Sequence, residues 1–142
     1  SESKMMHVLR VNSLLPLLFL KELVALVKGE NRCVISVLSA RVGSIEDNRL
    51  GGWYSYRASK AALNMLGKTA AIEYERRAKN VRFLLFHPGT VDTNLSKPFQ
   101  SKSSTKLMQP SEVAMSLIKL MDRSDTGSNI EFIDWEGKKI NW

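Results

Sequence analysis

Cys33-Val34-Ile35-Ser36-Val37-Leu38 is a short, nearly continuous apolar run rich in β-branched residues, the pattern of a strand covered on both faces of a parallel sheet. On its N-terminal side, apolar residues at Val8, Val11, Leu15, Leu18, Phe19, Leu23, Leu26 and Val27 keep a helical rhythm that stops at Gly29. That rhythm predicts a broad-faced helix over 5–28, buried on two sides. On its C-terminal side a polar, glycine-containing loop runs to Gly52. Over 53–79, Tyr56, Leu63, Leu66, Ala70 and either Ile72 or Tyr74 then recur with a period near about 3.6, the mark of a long amphipathic helix. Arg76, Arg77 and Lys79 crowd its last turn, where cations suit the helix dipole. A second buried strand is expected over 81–86, closed by His87-Pro88-Gly89. Pro110 suits the first turn of a third helix with Val113, Leu117, Ile118 and Met121 inward, and 129–134 reads as a third strand. The polar, non-periodic stretch 96–109 reads as a mobile loop.

Helix, strand, helix, strand, helix, strand is an α/β alternation with connections long enough for right-handed crossovers between parallel strands. Ligands in such sheets bind outside the carboxyl ends of the strands, which singles out the loops 39–56 and 87–109. The chain has 142 residues, one domain's worth, and its 44% hydrophobic content excludes disorder and fibrous repeats. A net charge of +7 raises the question of a polyanionic partner, but the basic residues are spread thinly and the dense run 73–79 mixes both signs, so nucleic acid is not expected. The single cysteine, Cys33, sits in an apolar run and fits a reducing compartment. The apolar stretch 14–27 is interrupted by Pro16, Lys21 and Glu22, so no membrane span is expected and the reading is a soluble cytoplasmic protein. His7 and His87 stand alone, without metal-ligand spacing, and no metal site is expected. The chain opens on Ser1 with its first apolar segment under way by Met5, which suggests a piece of something longer.

Tyr56 and Lys60 are four apart near the start of the long helix and project from one face at the ligand-binding edge of the sheet. An ammonium beside a phenol stabilises phenolate and lowers a pKa otherwise near about 10, so such a tyrosine can exchange a proton with a carbonyl or alcohol oxygen near neutral pH. By spacing alone, Tyr56 reads as an ordinary core aromatic and Lys60 as a surface lysine. Asn12 lies four residues before Pro16, which has no N–H, so the Asn12 carbonyl loses its normal helical partner and is open to a water; the bland alternative is a helix kink with a capping asparagine.

Taken together, Tyr56-Arg57-Ala58-Ser59-Lys60-Ala61-Ala62-Leu63, the strand before it ending in Ser39, and His87-Pro88-Gly89-Thr90-Val91-Asp92-Thr93 after it closely resemble the short-chain dehydrogenase/reductase family, from Asn12 to the C-terminus. Ser44-Ile-Glu-Asp-Asn, Gly51-Gly52 and Phe132-Ile133-Asp134-Trp135 look most like the branch holding sniffer-type carbonyl reductases and C-factor-like proteins. The resemblance implies an NAD(P)-dependent oxidoreductase, NADP(H) slightly preferred, moving hydride between nicotinamide and a carbonyl or secondary alcohol. In it Tyr56 is the general acid/base and Lys60 both depresses its pKa and holds the nicotinamide ribose. Asn12 holds the water of a proton relay. The backbone of Val91 in the Pro88-Gly89 turn pairs with the carboxamide, and the Thr93 hydroxyl reaches carboxamide or phosphate. It also implies a homo-oligomer through helices 5–28 and 53–79, with Leu14, Leu17, Leu18, Leu66 and Ala70 supplying the apolar face.

The sequence departs from the family at the serine that orients substrate. The first position of Ser-x-x-Gly is here Ala40, in Ala40-Arg41-Val42-Gly43. Ser39 is one residue early, on a strand whose side chains alternate faces, and Ser44 is 12 residues before Tyr56; either takes the role, or it is vacant. The glycine-rich turn that would seat a pyrophosphate on a helix N-terminus is missing, and Gly51-Gly52 opens on bulky Trp53-Tyr54. The expected architecture is therefore α/β: the C-terminal half of a doubly wound parallel (Rossmann-type) sheet, three strands with flanking helices. Residues 1–142 form one partial domain lacking the dinucleotide-phosphate half, with the strand at 33–38 facing an absent neighbour. Alone, such a chain is expected to be inactive, since the remote contacts that position the reacting atoms are gone. The competing reading is a non-catalytic association module. In the enzyme, the 96–109 loop is expected to shape the substrate, its Pro98, Phe99, Leu107 and Met108 closing over an apolar molecule.

Overall fold

The computed structural model describes residues 1–94, 96–97, 107–123 and 127–142. Three parallel strands stand in the order β1 (Cys33–Leu38), β2 (Val81–His87), β3 (Ile130–Asp134). The helical run before β1 is α1 (Glu2–Leu9), a π segment over Arg10–Leu14, and α2 (Leu15–Val27). Between β1 and β2 lie a 3-10 turn (Arg41–Gly43) and α3 (Tyr54–Arg77), and between β2 and β3 lies α4 (Pro110–Met121). The α/β fold is thus a three-strand parallel piece of a Rossmann-type sheet, as the alternation predicts.

One face of the sheet carries most of the core. Leu20 and Val24 of α2, Ala70, Ala71 and Tyr74 of α3, and Val81 and Phe83 of β2 pack together, with Ile35 and Val37 of β1 against them. The Tyr74 ring meets Phe83 edge-on, with centroids 5.0 Å apart, and its hydroxyl donates to the Leu20 carbonyl at 2.5 Å, tying α3 to α2. Tyr74, not the half-exposed Ile72, is therefore the inward residue of that turn. On the other face Phe86, Met108 and Val113 are buried, with Leu117, Leu120 and Trp135 against them.

Three packing expectations are corrected. The first helix is buried on one side only: Ser13, Leu20 and Val24 are buried, whereas Leu14, Leu15, Leu18 and Phe19 are exposed because nothing packs on their side. Strand β1 is covered only toward α2 and α3. It is an edge strand, and on its far face Leu38 is left 60% exposed. Ile118 points outward, since the inward stripe of α4 runs through Val113, Leu117 and Leu120.

Candidate active site

Pro16 cannot donate, so the helix rewinds around it. The Leu15 N–H reaches back five residues to the Arg10 carbonyl, and Asn12 sits in the middle of this π turn. The widened turn lies against α3 at Ser59, which is fully buried. Asn12 Nδ2 donates to Ser59 Oγ at 3.0 Å, Ser13 Oγ donates to the Ser59 carbonyl at 2.8 Å, and Ser59 Oγ donates to the Tyr56 carbonyl at 2.8 Å. A residue no larger than serine lets the two helices approach here. The close approach brings Asn12 next to the turn of α3 that carries Tyr56 and Lys60.

Lys60 turns toward the carboxyl end of β1, where its Nζ donates to the Leu38 carbonyl at 2.9 Å, and it lies 5.9 Å from the centre of the Tyr56 ring. The expected lowering of the phenol's pKa is not what this arrangement gives. Burial pushes Tyr56 above its ordinary 10.0 and pushes Lys60 below its ordinary 10.5, because both lose water and the ammonium is spent on a carbonyl rather than on the phenol oxygen. Asn12, Lys60, Ser36 and Leu38 line one groove of about 500 Å³ between β1 and the run formed by the π segment and α2.

Neither candidate serine turns its hydroxyl to this groove. Ser39 Oγ is buried and donates to Asn64 Oδ1 at 2.5 Å, toward α3, as strand alternation would have it. Ser44 Oγ, also buried, accepts the Asp47 N–H at 3.1 Å and donates to the Trp142 carbonyl at 3.4 Å, closing a turn. Ala40, which holds the first position of the family's Ser-x-x-Gly, has no hydroxyl and is buried. The Arg41–Gly43 turn instead positions the helix, for a β-carbon on Gly43 would stand 2.7 Å from the Lys60 carbonyl carbon.

The turn after β2 leaves the sheet at the same edge. Gly89 has φ +75°, and its open side lies against Trp135, whose Cδ1 would be 2.9 Å from an added β-carbon. Residues 90–92 then pair with Met108: the Met108 N–H donates to the Thr90 carbonyl at 2.9 Å and the Asp92 N–H to the Met108 carbonyl at 2.8 Å. An extended residue between two such partners presents its own N–H and carbonyl to the opposite side, so the Val91 backbone is turned away from Met108. The Val91 carbonyl takes the Ser96 hydroxyl at 2.5 Å, and Thr93 is exposed. Met108 is itself 5% exposed and fixed in the core, which removes it from any closing loop. Pro98 and Phe99 lie outside the described residues.

These side chains fit the nicotinamide end of a dinucleotide. Lys60 keeps two ammonium protons beyond the one given to Leu38, the residue Tyr56 is 39% exposed, and the Val91 amide is oriented outward: donors for ribose hydroxyls and a carboxamide. The sequence profile described as short chain dehydrogenase matches residues 1–104. The chain belongs to the short-chain dehydrogenase family. Among its relatives, 1-hydroxy-2-glutathionyl-2-methyl-3-butene dehydrogenase of Rhodococcus sp. (strain AD45) is 37% identical over 108 residues, covering 76% of this chain and 46% of that protein. Of solved structures, carbonyl reductase Sniffer of D. melanogaster superposes with a TM-score of 0.84 at 21% identity, over 100% of this chain and 58% of that one, a likeness of fold. The NADPH-bound carbonyl reductase from chicken fatty liver gives 0.76 at 28% identity, over 100% and 58%. The chain spans about half the length of the relatives it matches.

Several contacts of this short-chain dehydrogenase site were not singled out from sequence: Ser59 under Asn12, Gly43 against Lys60, and Asn64 holding Ser39. The available signal was a polar residue on a buried stripe. Asn64 stands between buried Leu63 and Gly67 on α3, two helical turns after Tyr56. Among the described residues no helix is long and apolar enough to cross a membrane, and no group of three His, Cys, Asp or Glu is placed to hold a metal.

Proposed function

We propose that the chain carries the catalytic and nicotinamide-binding half of an NAD(P)-dependent oxidoreductase acting on a carbonyl or secondary alcohol, with NADP(H) the favoured form. The observation that carries this reading is the convergence of Asn12, Tyr56 and Lys60 at the carboxyl edge of β1, in a chain of this family. When bound, the nicotinamide supplies or takes the hydride. Tyr56 gives its phenol proton to the carbonyl oxygen, or takes one from the alcohol, and its raised pKa keeps that proton on the oxygen at neutral pH, which suits reduction. Lys60 holds the ribose hydroxyls through its remaining ammonium protons and places a positive charge beside the phenol as the proton leaves. The carbonyl of Asn12, which Pro16 cannot partner, holds a water on the path to Lys60. Val91 and Thr93 hold the carboxamide from the neighbouring loop.

In the polypeptide that also contains the phosphate-binding half, Tyr56→Phe is expected to reduce kcat on a carbonyl substrate by about 10²-fold or more, with little change in cofactor affinity. Undiminished turnover by that variant would refute the assignment. One observation favours the association module: Val11, Leu14, Leu15, Leu18 and Phe19 form an exposed apolar stripe on the π segment and α2, suited to a second copy of the chain. Ala70 is not part of it, being buried against α2 and β2. A stable oligomer that leaves nicotinamide fluorescence unchanged would support the module over the enzyme.

A further inference from the structure

Among the described residues, two buried side-chain polar atoms have no hydrogen-bond partner, Asn64 Nδ2 and His87 Nδ1. They belong to neighbouring side chains. Leu38 is the register partner of Phe86, and the Ser39 N–H donates to the Phe86 carbonyl at 2.9 Å, so the next step of the ladder sets Ser39 opposite His87. Side chains on a strand alternate, and Ile35 and Val37 of β1 and Phe83 and Leu85 of β2 face the α2/α3 side; Ser39 and His87 therefore share that face, about 5 Å apart. Asn64 reaches the same spot from α3, where its Oδ1 lies 2.5 Å from Ser39 Oγ. That separation belongs to an O–H···O bond and is too short for N–H···O, so the amide oxygen faces Ser39 and the amide nitrogen is the group left over.

A buried amide N–H and a buried imidazole nitrogen are each costly to leave unpaired, and together they are a donor and an acceptor. We propose that one buried water bridges Asn64 Nδ2–H and His87 Nδ1, accepting from the amide and donating to the imidazole nitrogen, making Asn64 and His87 positioning residues that fasten α3 to the Pro88–Gly89 turn. Around the imidazole, the Asp134 carboxylate is already engaged: its Oδ2 takes Arg41 Nη2 at 2.9 Å, and its Oδ1 takes the N–H groups of Glu136 and Lys138 at 3.0 and 2.9 Å. The imidazole is neutral at pH 7, its pKa lowered to about 4 chiefly by burial, so it has one N–H and one lone pair to place. The link joins the helix of Tyr56 and Lys60 to the loop of Val91 and Thr93, the two parts whose spacing sets the width of a nicotinamide site. That role rests on the function proposed above. The water bridge does not.

The chain has two histidines, so ¹⁵N-histidine labelling gives two imidazole spectra, and His87→Gln assigns them. At pH near neutral, His87 is expected as the Nε2–H tautomer, with Nδ1 at the position of an unprotonated, hydrogen-bonded nitrogen. Asn64→Leu is expected to move Nδ1 toward the free-acceptor position and to shift the amide resonances of Gly89 and Val91 while leaving that of exposed Gly29 in place. A proton on Nδ1 in the wild-type chain would overturn the proposal even if the variant fails to fold. Unmoved Nδ1 and Gly89 resonances in a folded variant would overturn it as well. Neither result bears on the Tyr56→Phe test.

Discussion

His87 ends β2 with Nδ1 shut away from solvent, and burial holds its pKa down from 6.5 to about 4, with the Arg41 guanidinium acting in the same direction and Asp134 against it. The folded pKa lies below the unfolded one. Between about 6.5 and about 4 the unfolded chain therefore binds more protons, and stability falls as pH drops through that window. The loss amounts to about 2 kcal/mol between about pH 7 and about pH 5. Urea unfolding of the wild-type chain at those two values is expected to show it, and His87→Gln to lack it; equal slopes would place the titrating group elsewhere. At this scale the sequence carried the spacing of Tyr56 and Lys60 and the strand alternation that turns Ser39 toward α3 and away from the groove, both of which follow from local periodicity. It did not carry the direction of the Tyr56 shift. That depends on how much water the π segment, β1 and α3 exclude together, and on a Leu38 carbonyl 22 residues from Lys60.

Among the elements, α3 packs closely on the turn that follows β1, where Gly43 lies against the Lys60 backbone. Gly43→Ala is expected to cost about 1–3 kcal/mol, since backbone on one side and buried turn on the other leave nothing flexible to yield. Gly29→Ala, with open space around the added methyl, is expected to be neutral or stabilising by about 0.4–1 kcal/mol. Thermal unfolding of the two variants checks the contrast, and a Gly43→Ala chain as stable as Gly29→Ala would mean that α3 is free to move off the turn. The element boundaries were legible because apolar runs and helical stripes are local: β1 falls at 33–38 as read, and the long helix at Tyr54–Arg77 against an expected 53–79. What was not legible is which faces find a partner. Leu18 and Ile118 belong to apolar patterns as strong as those of Leu20 and Val113, yet only the latter pair meet another element.

For the whole molecule the decisive asymmetry is at the sheet's edge. Strand β3 and the far side of β2 are closed in by α4 and the 138–142 segment, where Ile140 is buried and Trp142 packs on Phe132 with ring centres 5.6 Å apart. Strand β1 keeps an open flank at which the groove of Asn12 and Lys60 ends. The residues suited to a nicotinamide thus lie on the chain, while those that would seat the rest of a dinucleotide were not found in its sequence. Binding energy from the remote half is what orders the reacting atoms, so the nicotinamide end alone should bind weakly and without turnover. Titration of the 142-residue chain with nicotinamide mononucleotide, followed through backbone amide shifts, tests this most directly. Weak, saturable shifts centred on Asn12, Lys60, Val91 and Thr93 are the predicted result. Saturation that leaves these four unmoved, with shifts elsewhere on the chain, would contradict the assignment of this edge as the nicotinamide site.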